Sequence, residues 1–550
     1  MPKIAPEPVP EASGEPPAGA PRSTCRRPAP RLSRRGDFPL LVACVAFAAL
    51  SLALVPLTLS LGWDEIVYAS RFPPYAPATP FSAPRTRGVP LLISPVAAWS
   101  DSTVLLRIWL TLLSTVALYL GFSPWLRVIA RRPAVVGVAA GLYGSLWFTL
   151  FYANAAMPNH YTAMGVTAAV GLFLAARPGR LAHAGIAAGL ALAALMRPND
   201  GAAVAVPLLA AALLVPAWRT KGRVVAVAGG VLAGLLPWAV EAYVRFGGVR
   251  ERLNAASEVQ GGLRPLAAIE AQFTALDGPL LCRPCTADQL RIVAAGWWLL
   301  LPLLVAAGLW ATGRSRGRRE KAGDAPQDAR NGAPGRPTDG TAEKTVGAPQ
   351  GAAPHATPRA TAPQAIRPAL QLAVVVAVSV ALPYLLLVPY GAPRFLLPAH
   401  ALLAVPAALG LLALVDRGQR AVTVAVAVAL VAHLGVQLPL ALGNARIQAG
   451  ARGDWVRVTG VLYEQGVRAP CLLKGSTSVI PIAYVSGCSA ARQDDPRQPA
   501  ALVLREKQPP RWARDWRRHP VPDTYAPGWT VLVPPTTTAA ARNASPDMRS

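Results

Sequence analysis

Two carboxylates stand side by side at Asp64 and Glu65, in the run Gly62-Trp63-Asp64-Glu65-Ile66-Val67-Tyr68, directly after the first long apolar stretch. A carboxylate so placed can take a proton from a hydroxyl while a leaving group departs, and its neighbour can orient the reacting partner. Charges close to a bilayer are costly, which makes them functional suspects. A structural reading stands beside the chemical one: Asp64 caps a short helix and Glu65 occupies its first turn. The two readings are compatible. Four arginines supply the complementary charge: Arg85 and Arg87 further along the same stretch, Arg197 before Pro198, and Arg394 after Pro393. A guanidinium stays charged and pairs with phosphate oxygens through a planar fork, so these side chains suit an anionic phosphate. The bland alternative is snorkelling to lipid headgroups, which weighs most on Arg85 and Arg87. Tyr68 is a candidate substrate contact. His160, next to Asn159, is set between a surface histidine and a substrate or metal ligand. Arg107, one turn into an apolar run, is divided between structure and function, and His400 reads as a packed core histidine.

Other chemistries lack their signatures. The sequence holds no cluster with metal-ligand spacing, no phosphate-cradling Gly-rich loop and no Gly-x-Ser-x-Gly. It demands no cofactor and leaves a divalent metal open. Cys282-Arg-Pro-Cys285 has no second pair and no βαβ context, so a local disulfide is preferred to redox or metal chemistry. Cys471 and Cys488 are a second candidate pair.

The elements that must position these residues follow from composition. Of 550 residues 53% are hydrophobic and only 15% charged, too few charges for a soluble chain of this length. The apolar residues fall in runs of about 16 to 22, the length that crosses a hydrocarbon core of roughly 30 Å. Spans are expected at 40–61, 103–122, 134–152, 161–176, 183–197, 201–217, 224–243, 292–312, 368–389, 395–415 and 421–442, about eleven, and as helices, because lipid offers no partner for a bare backbone. The net charge of +26 invites a nucleic-acid reading, but Lys and Arg lie in tails and loops rather than in one groove, so no nucleic-acid partner is expected.

Charge placement sets the orientation. With the N-terminus in the cytoplasm, Arg127, Arg131 and Arg132, then Arg177 and Arg180, then Arg219, Lys221 and Arg223, then Arg417 and Arg420 all fall inside. The short loops 153–160 and 390–394 fall outside and hold only Arg394 between them. Residues 1–37 are expected to be a disordered basic cytoplasmic tail, Leu40–Leu61 being too long for a signal-peptide core. Residues 38–312 form an N-terminal membrane block with the first outer loop at 62–102. The Pro-, Gly- and Arg-rich residues 313–367 form a disordered cytoplasmic loop. A second membrane block covers 368–442. Residues 443–550 are expected outside as a small α/β unit and tail. The whole is an all-α polytopic membrane protein with an extracytoplasmic α/β appendage.

Asp64-Glu65-x-x-Tyr68 in the first outer loop, after the first of many spans, resembles the GT-C superfamily of membrane glycosyltransferases, which includes protein mannosyltransferases and aminoarabinose transferases. Further short patches agree: Arg85-Thr-Arg-Gly-Val-Pro-Leu91, where relatives carry a His-Pro-Pro-Leu-like segment whose His this chain lacks; Arg197-Pro198; and Pro393-Arg-Phe-Leu-Leu-Pro398. The resemblance implies a GT-C-like fold and transfer of a sugar from a polyprenyl-phosphate donor to a glycan, lipid or protein acceptor on the outer face, with inversion, for cell-envelope assembly. It also implies a catalytic acid in this loop, which puts Asp64 first with Glu65 assisting. The competing expectation is a transporter or flippase of a lipid-linked or anionic substrate.

Overall fold

The computed structural model describes residues 36–72, 81–176, 178–265, 268–278, 280–281, 292–323, 366–476, 478–491 and 495–535. The expectations for residues 1–35, for most of the 313–367 loop and for Cys282 and Cys285 lie outside the described residues.

The described chain is mostly helical. Six helices are long and apolar enough to cross a membrane, and apolar helices of 10 to 17 residues accompany them. Leu397–Val415 is covered by protein along nearly all its length. It packs against Ile292–Gly323, Ile366–Leu386, Pro133–Gly144 and Asn159–Phe173. Arg180–Met196 lies between Asn159–Phe173 and Lys221–Phe246. Small residues set the spacing there: a Cβ added to Gly165 or to Gly189 would stand 2.6 Å from the other's carbonyl oxygen. Close backbone approach of this kind is how helices associate where lipid removes the hydrophobic drive.

Two departures from the expected spans bear on the site. The run 134–152 divides into Pro133–Gly144 and Trp147–Tyr152, so Tyr152 belongs to a separate short helix. The last span does not stop at 442. Arg420–Glu464 is one helix of 45 residues, about 68 Å long at 1.5 Å per residue, and the division drawn at 442/443 falls inside it. Its apolar stretch is almost uncovered by protein, while its last turns join the core of the C-terminal unit through Val458, Val461 and Leu462.

That unit is a five-stranded sheet, β1 (Leu472–Gly475), β2 (Ser489–Ala490), β3 (Ala501–Arg505), β4 (Arg517–Pro520) and β5 (Trp529–Val533), in the order β2-β1-β3-β5-β4. β1 runs parallel to β2 and β3, and β5 antiparallel to β3 and β4. The helix Val479–Ser486 crosses from this sheet to pack on Trp63–Ala69. Cys471 and Cys488 are joined by a disulfide. The Asp454 carboxylate accepts the backbone N–H of Tyr525 at 2.6 Å and of Ala526 at 2.9 Å, clamping the unit to the long helix.

Contacts between loops sort the helix ends into two faces. Arg132 pairs with Asp416 at 2.5 Å, and Arg223 donates to the carbonyls of Phe173 and Ala175; both pairs join loops assigned to one side. The ends bearing Asp64, Arg197 and Arg394 gather at the other.

Candidate active site

The site begins where the first helix, Phe38–Leu54, gives way to a turn and the chain re-enters a short helix, Trp63–Ala69. Glu65 sits at the third position of that helix and accepts the Gly62 N–H at 2.7 Å, the reciprocal half of a capping box. The same carboxylate accepts the Ala156 N–H at 2.9 Å and faces Arg107 and Arg452, each at 3.3 Å. Arg107 is buried and also donates to the carbonyls of Leu59, Ser60 and Asn154. Burial pushes the Glu65 carboxyl up, but the two guanidiniums and two backbone N–H groups overcome this and hold it below the usual range. Glu65 is thus the buried knot that ties the loop to three other elements. Gly62 leaves room for it: an added Cβ would stand 2.8 Å from Nη2 of Arg452.

Asp64 points the other way. Its side chain is 35% exposed, with Oδ1 2.5 Å from Nη2 of Arg85 and Oδ2 3.5 Å from Nη2 of Arg394. Lying in the first turn of Trp63–Ala69, it is favoured by the helix dipole; the short following helix of the structural reading is present, with Gly62 rather than Asp64 at its N-cap. Arg85 stacks 4.8 Å over Trp63 and 5.9 Å from Tyr68 and donates to the Ser82 hydroxyl. Tyr68 is buried; burial raises its phenol against the pull of Arg85, so it stays a neutral O–H. Arg394 is fixed by Nη1, which donates to the Tyr152 hydroxyl and the Leu280 carbonyl, both at 2.9 Å.

Arg197 joins the group through an aromatic ring. Its guanidinium lies 4.8 Å from the centre of Phe395, and that of Arg394 lies 5.3 Å from the same ring. Asp200, 3.0 Å from Nε of Arg197, and the Tyr384 hydroxyl, 2.5 Å from Nη2, hold it there. Asp64, Tyr68, Arg85, Arg197 and Arg394 therefore form one constellation from four separate stretches of chain.

Asp64 and Arg394 border a cavity of about 940 Å³. One wall is the long helix, apolar at Gly435, Val436, Pro439, Leu440 and Gly443 and then polar at Asn444, Gln448 and Arg452. Arg87 and His160 lie apart from it. Arg87 pairs with Glu241 at 2.5 Å. His160 is no loop residue: it is the second residue of Asn159–Phe173, buried, with its ring nitrogens on the Tyr143 hydroxyl and the Ser114 carbonyl. Among the described residues no three His, Cys, Asp or Glu side chains come together, and the question of a divalent metal stands where the sequence left it.

Sequence reasoning missed Arg452, Tyr152, Asn444 and Gln448. Arg452 sits in a stretch read as outer tail, and the one signal for it was a helical pattern starting at Trp455, a turn later.

No family model matches the sequence, and no curated protein sequence does. Among solved structures the chain is similar to ArnT from Cupriavidus metallidurans bound to undecaprenyl phosphate, with a TM-score of 0.55 over 92% of this chain and 99% of that one at 13% identity. The apo form of the same protein gives 0.54 over 90% and 98%, also at 13% identity. The archaeal oligosaccharyltransferase AglB from Archaeoglobus fulgidus, in complex with an inhibitory peptide and a dolichol-phosphate, gives 0.45 over 83% and 65% at 12% identity. The chain therefore shares the overall fold of that ArnT structure.

Proposed function

We propose that this chain is a membrane glycosyltransferase that moves a sugar from a polyprenyl-phosphate donor to an acceptor hydroxyl on the extracytoplasmic face, in cell-envelope assembly. Eleven helices cross the bilayer in this reading, with the N-terminus in the cytoplasm and the C-terminal unit outside. The carrying observation is the partly exposed Asp64 carboxylate, set between two guanidiniums at a cavity whose long-helix wall turns from apolar to polar. That wall matches a lipid chain followed by a charged headgroup. ArnT, of the same fold, was solved with undecaprenyl phosphate bound, which supports this class of donor. The charged groups gather at one end of the helices rather than midway along them, which favours transfer chemistry over transport.

In this reading Arg394 swings its loosely held Nη2 from Asp64 to the donor phosphate. The acceptor oxygen attacks the anomeric carbon, the bond to the phosphate oxygen breaks, and its electron pair leaves on the phosphate, where Arg394 balances the charge. Asp64 takes the acceptor proton. One displacement inverts the anomeric centre. Arg85 positions Asp64, while Glu65 acts through the backbone it anchors.

The test is Asp64→Asn, assayed with polyprenyl-phosphate hexose and pentose donors. Transfer should fall by roughly 10²- to 10⁴-fold, with expression and thermal unfolding unchanged because this carboxylate is partly solvated. Undiminished transfer would remove Asp64 from catalysis.

A further inference from the structure

The segment 85–87 sends its two arginines to opposite sides. Arg85 reaches Asp64, whereas Arg87 turns away and donates from Nε and Nη2 to Oε1 of Glu241, at 3.1 and 2.5 Å. Glu241, only 8% exposed, also meets Arg252 at 3.1 Å and Arg245 at 3.6 Å. Arg71 arrives from the end of Trp63–Ala69, and its guanidinium shares the Phe81 ring with that of Arg87, at 5.4 and 4.4 Å from the centroid. Four guanidiniums are thus drawn around one carboxylate.

Arg252 is accounted for: it is fully buried and donates to the carbonyls of Ala83, Arg85 and Trp238 as well as to Glu241. Arg71 donates from Nε to the Val67 carbonyl at 3.2 Å and is partly buried, while Arg87 and Arg245 are 30% and 54% exposed. Burial and the neighbouring charges of Arg87, Arg245 and Arg85 push Arg71 down to about 10, with Glu241 as the acid set against them. Among the described residues the three guanidiniums in contact with Glu241 outnumber that one acid, and in a partly dry setting such an excess invites an anion.

Its depth indicates which anion. Arg245 sits in the last turn of Lys221–Phe246, a helix long and apolar enough to cross the membrane. Val240, Tyr243 and Val244 on the same turns are 53%, 70% and 76% exposed, as side chains facing lipid would be. The cluster therefore stands where acyl chains end and headgroups begin, and phosphate is the anion that layer carries. Guanidinium forks suit its oxygens.

We propose that Arg71, Arg87 and Arg245 form a second anion site, separate from the Asp64 cavity, that binds the phosphate of an anionic phospholipid headgroup. The proposal rests on the membrane reading and not on the transferase reading, so it is tested without an activity assay. The protein is placed in phosphatidylcholine nanodiscs with and without phosphatidylglycerol, and the thermal unfolding midpoint is read. Phosphatidylglycerol should raise the wild-type midpoint by several degrees, and Arg71→Gln/Arg245→Gln should lose most of that rise. Arg245→Gln alone, a half-exposed change that leaves folding intact, should lose part of it. Equal responses in wild type and both variants would overturn the site. A matching rise from millimolar inorganic phosphate in pure phosphatidylcholine discs would overturn the lipid assignment.

Discussion

At the scale of single residues, the adjacent acids have opposite environments. Asp64 is partly solvated and paired from both sides, while Glu65 is buried and held by two guanidiniums and two backbone N–H groups. Removing a buried partner strands its counter-charges, at a cost of about 3–5 kcal/mol. Glu65→Gln should therefore lower the unfolding midpoint far more than Asp64→Asn does, and equal midpoints would remove Glu65 as the anchor. Its pH dependence has a definite sign. The folded carboxyl titrates below the ordinary value, so its contribution is complete above the unfolded value of about 4.3 and is lost as pH falls toward the lower folded value. In the Gln variant that acid-side loss should be missing from a plot of midpoint against pH. The types at 64, 65, 85, 197 and 394 were legible in the sequence because acids are rare beside apolar runs and these arginines fall outside the positive clusters that flank the other span ends. The partners were not: Asp64 meets Arg394 at a sequence separation of 330, and Glu65 meets Arg452 at one of 387. No local pattern encodes such pairings. His160 shows the converse. A polar residue near a span end suggests an aqueous loop, yet here two buried hydrogen bonds satisfy it inside a helix.

At the scale of elements, the apolar runs were readable because each must match the hydrocarbon thickness, and their positive flanks sort them by face. The helix Arg420–Glu464 was not, since hydropathy reports only its lipid-facing part. Beyond Leu442 the glycines at 443, 450 and 453 and the charges at 446, 452 and 454 read as loop, but a helix leaving the bilayer needs no apolar surface to continue. The continuity has a use: it delivers Arg452 to Glu65 and Asp454 to the C-terminal unit within one turn. Ala449→Pro would delete the hydrogen bond to the Ala445 carbonyl and bring the ring against it, costing about 3 kcal/mol or more. Transfer should fall at least tenfold, and limited proteolysis should cut near residue 449 while the membrane part stays intact. Wild-type cleavage and activity would show that the rod need not be unbroken.

At the scale of the whole molecule, the two faces make a prediction about the cell. In a background with Cys25, Cys282 and Cys285 replaced by Ser, Asp101→Cys should react with a membrane-impermeant maleimide on intact cells, and Gln419→Cys only after lysis. Both positions are exposed and lie at opposite ends of the helices. Labelling in the reverse order would turn the molecule over and put its cavity on the cytoplasmic side. The fold was legible in outline, as many apolar helices plus a small C-terminal α/β unit. The seating of that unit on Trp63–Ala69 was not, because it depends on contacts between Val479–Ser486 and a segment hundreds of residues earlier. The 45-residue rod also makes the protein a gauge of its surroundings. Thinner lipid would force a greater lean, as mismatch costs only fractions of a kcal/mol per Å, and a small lean at the base becomes a large sweep at the far tip. Arg452 rides on that lever, so the depth of the bilayer enters the geometry beside Asp64, and membranes of different thickness would set that geometry differently in the same chain.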